Sequence, residues 1–211
     1  ADEPGTANGE WHHYTGDIKG SRYSPLDQIN ADNFEDLELA WSFSTKNLGT
    51  RSEYKLEVTP IMIDGMLYAT AGTRRAAISL DGSTGELKWI HSMEEGLRGG
   101  MAPRQLSGRG LSYWTDGNGD DRIYYVTTGY RLIALNAHTG VPINSFGTDG
   151  NGILDLKIGA VQGNEVQIDL VTGEIGLHAT PTVVGDMIIV GSAMKEGMTI
   201  DNYNNTKGLV R

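Results

Sequence analysis

The sequence predicts an all-β fold assembled from repeated hairpins, and three observations support this prediction. The chain has 29 glycines but only 3 phenylalanines among its 211 residues, a composition typical of many short strands joined by tight turns. Patterns typical of β-hairpins occur three times. A turn motif of the form Asp-x-x-Thr-Gly also recurs. Recurrence of this kind indicates a repeat architecture.

The three predicted hairpins have β-branched or alternating apolar strands next to short polar turns. They are TPIMIDGMLYAT from Thr59, DDRIYYVTT from Asp120 and TPTVVGDMIIVG from Thr180. Their second strands, marked by Tyr68, Tyr124 and Ile188, are spaced roughly 60 residues apart. Several strands per repeat with a glycine-plus-aromatic signature predict the blades of a β-propeller. A β-sandwich, which also has regularly spaced strands, is the alternative.

The turn motif is clearest in ISLDGSTGELKW, where Asp81 is followed by Thr84, Gly85 and Trp89. The Asp and Thr side chains can satisfy turn amides, and the Trp ring can pack into the neighbouring blade. We therefore expect a docking device between blades.

Two further stretches resemble this motif. In the second copy Asn136, Thr139 and Gly140 keep the spacing, Asn144 occupies the Trp place, and Phe146 is a candidate aromatic replacement. In the third, Asp169, Thr172 and Gly173 keep the spacing but Leu177 occupies the Trp place. We interpret the third copy as coincidence or a decorated loop.

Charge and composition exclude several classes of function. The net charge of -10 and the absence of any Lys/Arg cluster argue against a nucleic-acid partner. The lack of cysteine excludes disulfides, thiolate metal sites and cysteine nucleophiles. The polar start ADEPGTANGE is typical of a mature terminus left by signal-peptide removal, although a shortened chain is the alternative. The first interpretation predicts a secreted, periplasmic protein.

Three segments resemble one known family, the pyrroloquinoline quinone (PQQ) dependent dehydrogenases or quinoproteins. They are EWHHYTGDIKGSRYSPLDQINADNFEDLELAW at 10–41, RGLSYW from Arg109 and FGTDGNGILDL from Phe146. The resemblance implies an eight-bladed propeller with the quinone and a calcium ion on its axis. It also implies that 1–211 is the N-terminal part of a single propeller domain, with an N-terminal segment and about three blades, that continues beyond residue 211.

The resemblance further implies a set of site residues. Glu57 would lie beside the quinone, and Arg109 would pair with one of its carboxylates, for which a guanidinium is well suited. Gln105 stands where some relatives have a His, His178 where the family has a Thr that contacts the quinone, and Ala193 where it has a Ser. Glu196 would be a calcium ligand, and the catalytic base is expected after Arg211. Without the resemblance, Glu57 could be a solvated loop residue and Arg109 a support for its own loop.

Pro103 and Arg104 occupy the places of the adjacent cysteines of the alcohol-oxidising members. This difference favours the branch that resembles membrane-bound glucose dehydrogenase. The expected function is oxidation of an alcohol or sugar hydroxyl, with electrons passed to cytochrome c or a membrane quinone. Membrane association would involve a part of the protein outside 1–211. The alternative is a non-enzymatic propeller scaffold of the outer-membrane assembly factor type.

Overall fold

The computed structural model describes residues 5–159, 161–162, 166–172 and 175–193. Regular structure in these residues is nearly all β-strand, with two 3-10 turns (Ala7–Gly9 and Phe34–Asp36) and a short helix, α1 (Gly96–Gly100). The strands are β1 Ile61–Ile63, β2 Met66–Ala71, β3 Ala76–Asp81, β4 Leu87–His91, β5 Ser112–Thr115, β6 Asp121–Val126, β7 Arg131–Asn136, β8 Ile153–Asp155, β9 Val161–Gln162, β10 Val166–Gln167, β11 Thr182–Val184 and β12 Met187–Ile189.

Two four-stranded antiparallel sheets form blade 1 (β1–β4) and blade 2 (β5–β8), each with its strands in chain order. The first and third predicted hairpin segments each contain both strands of a hairpin, whereas DDRIYYVTT forms only strand β6, the second strand of a hairpin that begins with β5. The first turns at Asp64 and Gly65, whose φ angles of 49° and 76° suit a tight two-residue hairpin turn. The third is the β11–β12 pair, in which Val183 lies opposite Ile188, and β11 lies against β5. We call β1, β5 and β11 the inner strands.

Buried apolar side chains form three clusters, each between consecutive units of the chain. One lies between blades 1 and 2 and includes Tyr68 and Tyr125, and a second lies between blade 2 and the β11–β12 hairpin. A third joins blade 1 to residues 41–48. A β-sandwich has one core between two sheets. The propeller prediction is therefore confirmed and the sandwich alternative is wrong.

Tryptophan docking between blades is confirmed at two successive positions. The Trp89 indole of blade 1 donates a hydrogen bond of 2.7 Å to the Ala137 carbonyl oxygen in the second copy of the turn motif. Trp41, from the N-terminal segment, donates in the same way to Gly82 of the first copy, at 3.1 Å. The ring of each Trp covers the motif glycine of the blade that it docks on, Gly85 or Gly140. Each motif is thus a socket for an indole from the preceding unit.

Over its described residues, 169–172, the third copy of the motif forms the same side-chain hydrogen bonds, which agrees with a decorated loop and not with coincidence. The Asp169 carboxylate accepts hydrogen bonds from the Val171 and Thr172 amides, as Asp81 does from the Ser83 and Thr84 amides. The absence of a Trp at position 177 had been taken as evidence against the whole motif. The turn itself depends only on the Asp side chain and the amides that follow it.

The candidate aromatic replacement, Phe146, lies in the cluster between blade 2 and the β11–β12 hairpin, with its ring 5.5 Å from the Tyr124 ring. Gly173, the motif glycine that it would cover, lies outside the described residues.

Replacing Gly140 with alanine is expected to lower the free energy of unfolding by about 2–4 kcal/mol. The φ of Gly140 is +70°, and an added Cβ would lie 2.7 Å from the buried Trp89 ring, so backbone strain and overpacking both contribute. Denaturant unfolding of Gly140→Ala and Gly117→Ala separates the two causes, because Gly117 has a φ of +73° and open space around it. Equal losses in the two variants would contradict tight docking.

The N-terminal segment spans blade 1 from its inner to its outer edge. Trp11 exchanges two backbone hydrogen bonds with Met62 of β1, at 2.9 and 3.0 Å, while Trp41 covers the turn between β3 and β4. Strand β1 begins at Ile61, and residues 51–57, which precede it, contribute to the wall of a cavity.

Candidate functional site

The loops that precede the three inner strands are joined to one another through their backbones. The Thr59 amide donates to the Arg109 carbonyl oxygen at 3.1 Å, and the Arg109 amide donates to the His178 carbonyl oxygen at 3.2 Å. These bonds hold the loops before β1, β5 and β11 side by side. Side chains that are 52 to 121 residues apart in the chain therefore meet at one end of the inner strands.

Glu57, Arg109 and His178 form a connected side-chain network at this point. The Glu57 carboxylate is 3.2 Å from His178 Nε2 and 3.9 Å from an Arg109 terminal nitrogen. Arg109 Nε donates to His178 Nδ1 at 3.4 Å. Lys55 Nζ lies 3.1 Å from the other side of the same carboxylate, and its hydrogen bond is the main cause that lowers the pKa of Glu57. Glu57 is therefore ionised and its charge is matched by cations.

A cavity of about 750 Å³ opens beside this network. Its wall includes all five predicted quinone-binding positions: Glu57, Gln105, Arg109, His178 and Ala193. It also includes the cationic side chains of Arg51, Lys55 and Arg104. Among the residues that the structure describes, four permanent cations and one carboxylate line this cavity, which gives this part of its wall a positive charge in a chain whose net charge is -10. The cavity suits an anionic ligand that presents carboxylates.

The remaining predicted residues have structural roles at this site. The Gln105 side-chain amide donates to the Gly100 carbonyl oxygen at 2.8 Å, which ties it to the end of helix α1. Ala193 exchanges two backbone hydrogen bonds of 2.8 Å with Gly176 and offers the cavity only a methyl group. Glu196, the predicted calcium ligand, lies outside the described residues.

Arg75 is a buried residue that holds the backbone segments of the site together, and it was not anticipated from the sequence. Its side chain is 1% exposed and donates to five backbone carbonyl oxygens, those of Arg104, Leu106, Val126, Thr127 and Leu177. Two of these carbonyls flank Gln105, and a third belongs to the residue before His178. Burial lowers the pKa of Arg75 to about 10, so the guanidinium remains charged at neutral pH.

Sequence reasoning could have found Lys55 but not Arg75. Residues two apart on an extended chain point to the same side, so Lys55 could have been expected beside Glu57. Arg75 lies in the polar turn TRR and looks like a solvated residue. Its burial depends on contacts with residues as far as 102 positions away, which leave no local pattern.

Comparison with models of known protein families shows which family the chain belongs to. The PQQ family model described as "Glucose/ethanol/alcohol dehydrogenase, beta-propeller domain" matches residues 11–211. The chain belongs to the PQQ-dependent dehydrogenase family. This confirms the resemblance inferred from the segments at 10–41, at Arg109 and at Phe146.

Known PQQ-dependent dehydrogenases match most of the chain. A quinoprotein glucose dehydrogenase of Gluconobacter oxydans is 29% identical over 95% of the chain, and the match spans 25% of that relative. An alcohol dehydrogenase (quinone) subunit of the same organism is 38% identical over 63% of the chain and 16% of its own length. The crystal structure of quinohaemoprotein alcohol dehydrogenase from Comamonas testosteroni superimposes with a TM-score of 0.68 at 26% identity, covering 89% of the chain and 24% of that structure.

The more extensive match is to the glucose dehydrogenase, which agrees with the prediction made from Pro103 and Arg104. Because the chain spans about a quarter of most of these relatives, the activity of the whole protein is a matter for proposal.

The donor groups of the cavity fit PQQ but do not by themselves form a calcium site. A quinone with three carboxylates matches a wall rich in guanidinium and ammonium groups. By contrast, the described residues contain no group of three or more His, Cys, Asp or Glu side chains arranged to hold a metal ion.

None of the helices in the described part of the chain has the length and apolar character of a membrane span.

Proposed function

We propose that this chain forms part of the quinone-binding site of a PQQ-dependent dehydrogenase that oxidises an alcohol or sugar hydroxyl. The observation that carries the proposal is the positively charged cavity in an otherwise acidic chain. A scaffold protein has no need to gather four cations around one carboxylate at the end of its inner strands. The cavity therefore favours the dehydrogenase over the scaffold alternative.

The chain's own residues would bind and orient the cofactor. Arg109 is the best placed to hold a cofactor carboxylate, because its side chain is 44% exposed and its fixed fork can bind a carboxylate through two hydrogen bonds. Lys55 and Arg51 add charge on the same wall. The ionised Glu57 carboxylate can accept a hydrogen bond and so fix the orientation of a polar ring.

Bound PQQ supplies a two-electron acceptor for the hydride removed from the hydroxyl-bearing carbon of the substrate. The protein's share of the work is to orient this acceptor and to limit its contact with water. In our proposal calcium, held partly by Glu196, and a base located after Arg211 complete the site. Electrons would pass to cytochrome c or a membrane quinone. The protein would act in the periplasm. Any association with the membrane would involve residues outside 1–211.

Arg109→Ala is expected to weaken PQQ binding by about 10- to 100-fold, which is the loss for a charge-assisted contact when one partner is removed. Titration of PQQ into the full-length protein, followed by quenching of tryptophan fluorescence, measures the change in Kd. Lys88→Ala is the matched control, because it removes a cation on β4 that pairs with Glu86 and lies outside the cavity.

Dye reduction by the PQQ-loaded, calcium-supplied protein, with glucose and ethanol offered separately, tests the reaction itself. Failure of PQQ to quench the fluorescence of the wild-type protein at any concentration would overturn the proposed function. Equal Kd values for Arg109→Ala and Lys88→Ala would remove Arg109 from the cofactor site.

A further inference from the structure

His178 is held in a defined protonation state by its two neighbours. Arg109 Nε can only donate, so His178 Nδ1, 3.4 Å away, accepts this hydrogen bond. The ionised Glu57 carboxylate can only accept, so the imidazole proton is on Nε2, 3.2 Å from Glu57. The network as a whole requires a neutral imidazole with its hydrogen on Nε2.

The charges around His178 come from three packed segments and favour the neutral form. Arg109 approaches from the loop before β5, and buried Arg75 donates to the carbonyl of the preceding residue, Leu177, at 2.8 Å. Glu57, itself paired with Lys55, approaches from the loop before β1. Burial, followed by repulsion from Arg109 and Arg75, outweighs the attraction of Glu57 and lowers the pKa of His178 below 6.5.

An anionic ligand in the cavity would reverse this balance. A carboxylate bound by Arg109 offsets the positive field of the guanidinium and adds negative charge beside the imidazole. Protonation of Nδ1 would then remove the acceptor for Arg109 Nε and create a second donor on an imidazole that lines the cavity. Both changes favour the bound carboxylate, because Arg109 is released toward it and His178 gains a hydrogen to donate.

We propose that His178 couples loading of the anionic cofactor to the uptake of one proton: the neutral imidazole holds Arg109 in the empty cavity, and the imidazolium releases Arg109 and donates from Nδ1 to a cofactor carboxylate. This inference rests on the proposed function. It assigns His178 a titratable, cofactor-binding role, which a threonine at this position could not have.

The sign of the pH dependence follows from linkage. If binding raises the pKa of His178, the complex holds one more proton than the free protein between the free-state and bound-state pKa values. PQQ affinity should then rise as pH falls through this window, and should level off below the free-state pKa, which lies under 6.5. Above the window, His178 should no longer make the affinity vary with pH.

Calorimetric titration of PQQ into the full-length protein, in two buffers of different ionisation enthalpy, counts the protons taken up on binding. We expect uptake within the pH range in which histidine titrates in the wild-type protein, and loss of this uptake in His178→Thr. Glu57→Gln tests the competing acceptor, because a proton gained by the carboxylate would disappear in that variant instead.

Two outcomes would overturn the inference and leave the proposed function intact. One is proton uptake that persists in His178→Thr. The other is PQQ binding by the wild-type protein without proton uptake at any pH from 5 to 8, about the range in which histidine titrates. Absence of PQQ binding by the wild-type protein at every pH would overturn the proposed function, and this inference with it. Without cofactor, the pKa of His178 followed by NMR should rise in Arg109→Ala, because a repelling cation is removed.

Discussion

Arg75→Met is expected to lower the free energy of unfolding by about 3–5 kcal/mol, a large fraction of the stability of a typical domain. Methionine fills much of the space of the arginine stem but donates no hydrogen bond. Five backbone carbonyls that now accept from the guanidinium would lose that donor inside the protein. The cavity should also lose its shape, because these carbonyls hold the segments that carry Gln105 and His178.

Arg74→Met is the matched control, since the neighbouring arginine is partly exposed and pairs with the exposed Glu94. Its loss should be within about 0.5 kcal/mol. Denaturant unfolding of both variants measures the difference in stability, and PQQ titration measures the effect on the cavity. Comparable stability losses at positions 74 and 75 would show that the buried guanidinium contributes little.

Glu95→Gln is expected to cost about 2–4 kcal/mol. The Glu95 side chain is 3% exposed, and its carboxylate accepts hydrogen bonds from Thr127 Oγ1, Thr128 Oγ1 and the Gly129 amide, at 2.6 to 3.1 Å. It also binds Arg131. A carboxamide has only one oxygen, so its NH₂ group would face donors and the Arg131 cation would lose its charged partner.

Glu94→Gln provides the comparison for this effect, because the Glu94 side chain is 74% exposed. Thermal unfolding should give a clearly lower Tm for Glu95→Gln and an almost unchanged Tm for Glu94→Gln. A Tm for Glu95→Gln equal to that of the wild-type protein would mean that water, and not Glu95, satisfies the β6–β7 turn.

Hairpins and turns could be predicted from the sequence because their causes are local. Asp64-Gly65 and the Asp81 and Asn136 motifs determine their backbone angles and hydrogen bonds within a few residues. The third motif at Asp169 shows the same independence, since it forms its turn without a Trp.

The candidate site was predictable only in part. Glu57, Arg109 and His178 were placed through resemblance to a family, and the structure brings them together, but their hydrogen bonds to one another were not foreseen. Arg51 and Arg104, which add positive charge to the cavity beside that of Lys55 and Arg109, adjoin the site only after the loops have folded. Burial of Arg75 and Glu95 is likewise a consequence of long-range packing, and no sequence pattern near either residue indicates it.

Indole docking in this fold has a direction, and that direction matches the order of synthesis. Trp41 precedes the socket that it fills by 41 positions, and Trp89 precedes its own by 48. When the turn motif of a blade leaves the ribosome, the Trp that docks on it has already been synthesised as part of the preceding unit. Each new blade can therefore dock on the preceding unit while the chain is still being synthesised, which shortens the time that its apolar face is exposed to other chains.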